Sequence, residues 1–138
     1  MVKLSPLPLA LLGILALTPI AAPAADAQDF DTYTRGRTIH FDWQGEPYGV
    51  ERYLPGQRVI WSFLDGRCVD GEWYAQSGAK GPEICFTYEG RSAAQCWTYQ
   101  ITSDGLTVSI GSEAPGLTLT EQKNPTEEML CLGPEVGV

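Results

Sequence analysis

The sequence predicts an all-β domain, a small antiparallel meander of about eight strands that closes, fully or in part, into an up-and-down barrel. Three observations predict it. Apolar residues downstream of residue 28 recur with period two rather than 3.6. Turn-forming clusters separate these runs at intervals of ~8–12 residues. The 138 residues are 43% hydrophobic and 19% charged, which suits one domain with one core and neither a disordered chain nor a membrane bundle.

The chain opens with an address. Met1–Lys3 is a short positive segment, and Leu4 to Ile20 is apolar with Pro6, Pro8, Gly13 and Pro19 scattered through it. Two small-x-small sites follow, Ala22-Pro23-Ala24 and Ala25-Asp26-Ala27. This is the tripartite pattern of a secretory signal peptide. The apolar stretch Leu7 to Leu17 is shorter than the roughly 20 residues of a spanning helix. Residues 1–24 therefore read as a signal peptide, cleaved after Ala24 or Ala27, and 28–138 as a single β domain, periplasmic or secreted, with no membrane span after cleavage. No cysteine lies close behind the apolar segment, so a lipoprotein anchor is not expected.

The elements follow in order. Asp29 to Arg35 can form a short helix ending at Gly36, with Asp29 or Asp31 as cap. Ile39, Phe41 and Trp43 alternate with polar neighbours, and Tyr48 to Tyr53 forms a further strand. Val59, Trp61 and Phe63 make the next apolar row, and Glu72-Trp73-Tyr74-Ala75 a short strand. Ile84, Phe86 and Tyr88, then Trp97, Tyr99 and Ile101, then Leu106, Val108 and Ile110, then Leu117 and Leu119 complete the pattern. Breakers lie between them, among them Gly45-Glu46-Pro47, Leu54-Pro55-Gly56, Gly78 to Pro82, Ser103-Asp104-Gly105 and Ala114-Pro115-Gly116. Asn124 to Glu128 reads as a second helix start, with proline first and acids in the first turn. Closure into a barrel would remove exposed edges; an open, strongly bent sheet is the alternative.

Cys68, Cys85, Cys96 and Cys131 are an even set in an exported chain, which favours structural disulfides. Without a C-x-x-C pair, neither thioredoxin-like chemistry nor a zinc site is favoured. A two-residue turn centred on Gly90-Arg91 places Cys85 opposite Cys96 across a hairpin, where a cross-strand disulfide fits. By elimination Cys68 would then bond Cys131 and tether the C-terminal tail; a three-residue loop would shift that register by one.

No catalytic residue, metal or cofactor is assigned. The formal net charge of -8 disfavours nucleic acid as a partner. Asp65, Asp70 and Glu72 crowd one stretch, but two Asp-Gly turns account for them without calcium. Asp42, Glu46 and Glu51 could meet near one turn as a glycosidase-like acid pair, though a solvated surface is favoured. His40, the only histidine, alternates with the apolar row and is expected at the surface. Trp43, Trp61, Trp73 and Trp97 fall on the expected inward face of four strands. They would fill a core, or line a pocket in the barrel mouth for a small apolar or sugar-like ligand.

The run Tyr48-Gly49-Val50-Glu51-Arg52-Tyr53-Leu54-Pro55-Gly56, then Trp61, Cys68 to Tyr74, Ile84 to Tyr88 and Gln95-Cys96-Trp97 resembles an uncharacterised family of small exported β-rich alphaproteobacterial proteins. The resemblance implies an exported, disulfide-containing β domain and transfers no catalytic residue. The layout is also similar to lipocalin-type barrels, although the G-x-W signature is not cleanly present near the first strand. The expected function is a non-catalytic binding or interaction module of the cell envelope, with a small apolar ligand or an envelope protein as partner. A small secreted hydrolase using surface carboxylates, or a purely structural envelope protein, are the alternatives. A buried carboxylate in a concave pocket would favour the hydrolase.

Overall fold

The computed structural model describes residues 27–111 and 116–132. The expected signal segment before Ala27 and most of the Ala114-Pro115-Gly116 turn lie outside them. The chain forms one helix, α1 (Gln28–Thr34), followed by eight strands: β1 (Thr38–Trp43), β2 (Glu46–Leu54), β3 (Arg58–Ser62), β4 (Val69–Gly78), β5 (Gly81–Tyr88), β6 (Gln95–Thr102), β7 (Gly105–Ile110) and β8 (Leu117–Glu121). Each strand pairs antiparallel with the next, and β8 returns to β1 to close the barrel. Closure leaves no strand with an unpaired edge.

Short connections explain the topology, since a two-residue turn can only join antiparallel neighbours. Gln44 and Gly45 take positive φ between β1 and β2, as such a tight hairpin requires. The apolar rows turn inward as the alternation demands. Ile39, Val59, Ile84 and Leu106 are each almost completely buried. β4 and β5 run through the expected Gly78–Pro82 breaker down to a two-residue turn, so β4 is ten residues long.

The barrel has two different ends. At the end carrying the β2–β3, β4–β5 and β6–β7 turns, α1 acts as a plug. Phe30 is 0% exposed and meets Tyr53, Trp73 and Tyr99 edge-on at centroid distances of 5.8, 5.3 and 5.1 Å. Burying such a ring contributes about 1.5–3 kcal/mol, and each edge-to-face pair adds about 0.5–1.5 kcal/mol. Glu121 ties the plug down. It accepts from Tyr33 Oη at 2.6 Å, from Arg37 Nη2 at 2.6 Å and from the Leu106 amide at 2.9 Å. Neither Asp29 nor Asp31 caps α1; Ala27 occupies the N-cap and no side chain bonds there.

The C-terminal segment does not form the expected second helix. It runs irregularly across the outside of the barrel. The Gln122 amide donates to the His40 carbonyl at 2.8 Å, His40 Nε2 bonds the Glu127 carbonyl at 2.7 Å, and the Leu132 amide donates to Gly66 O at 2.9 Å. Carbonyl capture by His40 holds Glu127 away from helical geometry. The strap ends in the Cys68–Cys131 disulfide, while Cys85–Cys96 bridges β5 and β6. Cys85 and Cys96 are register partners, as are Ile84 and Trp97. The β5–β6 connection is wider than a two-residue turn, however, since pairing stops at Phe86 and Gln95.

His40 is therefore not a surface residue. It shares an outer row with Val50 and Ser62, and all three are buried. A carbonyl can only accept, so Nε2 is the donor of this bond. Nδ1 is buried without a hydrogen-bond partner.

Candidate functional site

The opposite end of the barrel, where β1 meets β2, β3 meets β4 and β5 meets β6, is open. A cavity of about 130 Å³ leads inward from it. Tyr48, Trp61, Phe63, Arg91, Gln95, Ile110 and Leu117 line its mouth. Phe41, Phe86, Trp97, Val108 and Leu119 form the walls, and Tyr53 lies at the floor above the plug. A cavity of about this size, lined with apolar side chains, holds a single benzene-sized ring. A larger groove of about 540 Å³ runs outside between α1 and the β2–β3 turn, but it is open to solvent and its lining is mostly polar.

The mouth is an aromatic cluster. Tyr48, Trp61 and Phe63 pack mutually with centroids 6.1, 5.7 and 5.3 Å apart. Phe63 follows the last residue of β3 and is 47% exposed. Two inward glycines make space for rings. A Cβ on Gly49 would lie 2.4 Å from the Trp61 indole, and one on Gly71 would lie 2.6 Å from the Tyr88 ring. Both rings thus lie directly over backbone, which only glycine permits.

The four tryptophans divide. Trp61 and Trp97 line the cavity. Trp73 is buried under Phe30 in the plugged half and does not line it. Trp43, the last residue of β1, is 45% exposed and does not line it. The β1–β2 ladder carries a register shift here: Phe41 pairs with Gly49, but Asp42 with Pro47 and Trp43 with Glu46, which leaves Tyr48 as an extra residue in β2. That extra residue belongs to β2 and not to β1, so the exposure of Trp43 follows from its place at the end of its strand, beside the Gln44-Gly45 turn.

The sequence reading of Glu51 as a solvated carboxylate is corrected. Glu51 pairs in register with Ile39 and Trp61, so it points into the barrel, and it is 1% exposed. Its two carboxyl oxygens share the Tyr88 hydroxyl, which donates at 3.2 Å to each. Burial raises the Glu51 carboxyl well above its ordinary range, and the Tyr88 hydrogen bond opposes this only in part. Burial likewise raises the Tyr88 and Tyr53 phenols, and proximity to Glu51 raises both further. Arg91 faces Tyr88 from the rim and acts in the opposite sense on that phenol. Alternation in β2 could have placed Glu51 beside Tyr53 on one face, but both faces of Gly49-Val50-Glu51 are buried, so no polar–apolar alternation marks the strand.

Asp42 and Glu46 do not join Glu51. Asp42 accepts from the Gln122 side-chain amide and Glu46 is exposed. Glu51 is the one carboxylate among the cavity-lining residues. Asp65 accepts from the Arg67 amide at 3.0 Å, an Asx-turn bond. Among the described residues no three His, Cys, Asp or Glu side chains are grouped so as to hold a metal ion. No described helix is long and apolar enough to cross a membrane.

Geometry and topology define the chain as a plugged, eight-stranded up-and-down β-barrel with one open, aromatic mouth. Comparisons with protein-family models, curated proteins and solved structures give no match to it.

Proposed function

We propose that the protein is a non-catalytic binding module, periplasmic or secreted, that admits a small and mainly apolar molecule through the open end of its barrel. The cavity beside Glu51 is the observation that carries this reading: it is closed below by α1, walled by aromatic and aliphatic side chains, and equipped with one polar cluster. This is the usual composition of a small-molecule site, apolar walls with a few convergent polar groups. The two disulfides and the resemblance to exported β-rich proteins support the location.

A hydrolase is the second reading, and the buried carboxylate Glu51 favours it. Glycoside cleavage ordinarily uses two carboxyl groups about 5–9.5 Å apart, and Glu51 is alone in the cavity lining. Binding is therefore preferred. Native mass spectrometry of protein purified from its own host tests it, together with quenching of tryptophan emission by single-ring aromatic compounds. Retention of a small molecule, or saturable quenching that Gly49→Leu abolishes, is expected. Turnover of a glycoside that Glu51→Gln eliminates would replace binding with hydrolysis.

A further inference from the structure

Two glutamates point into this barrel, and only one has a cation. At the plugged end, Glu121 receives Arg37 at 2.6 Å together with a tyrosine hydroxyl and a backbone amide. Its charge is matched by the protein. Glu51, deeper in burial, forms no ion pair and receives one hydroxyl shared between two oxygens. Beside a cation the carboxyl ionises, and an ionised carboxylate has about four acceptor sites, so most of the Glu51 acceptor capacity is left for a positively charged group that enters the cavity.

We infer that Glu51 is the recognition group for a small organic ammonium ion, an amine on a body no larger than one ring, which supplies from the ligand side the cation that Arg37 supplies to Glu121. This rests on the binding reading above and names its ligand class. The surroundings suit a cation with an apolar body. The way in passes the faces of Tyr48, Trp61 and Phe63, and aromatic faces attract ammonium groups. The net charge of -8 draws cations toward the molecule. Groups that face Glu51 are few: Tyr53 on its own strand, Tyr88 from β5, and Arg91 near Tyr88. Arg91 is exposed at the mouth, where water screens its charge, and it makes no ion pair with Glu51. The cavity volume of about 130 Å³ sets the size limit.

The test uses benzylamine and its neutral analogue benzyl alcohol, with binding to the processed, oxidised protein measured by isothermal titration calorimetry at pH 7.5. Benzylamine is expected to bind at least roughly tenfold more tightly than the alcohol, the scale of a charge-assisted over a neutral hydrogen bond. In Glu51→Gln that preference should vanish while the alcohol still binds. Equal binding of the two, or tighter binding of the alcohol, to the unaltered protein would overturn the ammonium site and leave the binding reading standing. Failure of both compounds to bind would overturn both. The comparison on unaltered protein decides the matter even if Glu51→Gln does not fold.

Discussion

A single residue carries most of the chemistry of this barrel. Glu51 stands between Arg-poor walls with its carboxyl raised by burial. The native state therefore keeps a proton on Glu51 at pH values where the unfolded chain, with an ordinary pKa of about 4.3, has released it. Below that value the group is neutral in both states and costs nothing electrostatically. Above it the native state binds more protons than the unfolded state, so stability falls as pH rises toward the raised native value. Glu51→Gln removes this slope. In thermal melts the variant should exceed the parent by a few degrees at about pH 8 and match it near pH 4. A parent whose melting temperature rises steadily with respect to the variant over that range would contradict a Glu51 carboxyl raised by burial. Trp43 gives the opposite lesson at the same scale. Its neighbours Phe41 and Ile39 mark it as inward, yet it stands at the end of β1 beside the turn and is exposed.

The elements divide into those that make the barrel and those that close it. Period-two alternation placed the strands, and tight turns placed their pairing; Cys85 opposite Cys96 could be read from the hairpin between them. The helix Gln28–Thr34 was legible from its residues, but not its purpose. Only packing shows that Phe30 seals one end against Tyr53, Trp73 and Tyr99. The tether of the C-terminal tail at Cys131 was legible, but the course of the strap from Gln122 to Leu132 was not, because it has no periodicity and is held along its length by backbone bonds. That disulfide spans 63 residues and the hairpin bridge spans 11. In the chain-entropy model these contribute about 4 and about 3 kcal/mol. Cys68→Ala/Cys131→Ala should therefore destabilise more than Cys85→Ala/Cys96→Ala in urea denaturation, with an added loss because the strap no longer covers the His40, Val50 and Ser62 row. The reverse order would mean that the strap adds little to the fold.

At the scale of the whole molecule, the two cleavage sites expected from the sequence differ in what they leave at the start of α1. Ala27 is buried, and its carbonyl accepts the Asp31 amide at 3.1 Å. Processing after Ala27 would remove that acceptor, whereas processing after Ala24 keeps it. On the proposed exported reading, processing is expected to leave Ala25 as the first residue. Edman or mass-spectrometric sequencing of material from the envelope checks it, and a terminus at Gln28 would show that the plug forms without its first hydrogen bond.

The linear order of residues determined the class of fold on its own, because side-chain alternation and turn chemistry are local properties repeated at every strand. It also determined the disulfide framework as far as hairpin register allows. Tertiary structure alone decided which end of the barrel is open, which tryptophans face the cavity, and that Glu51 lies inside it. Those outcomes depend on where each strand ends, on a helix folding back over distant strands, and on burial of both faces of β2. Each is a relation between segments far apart in the chain, and no short window of sequence contains it.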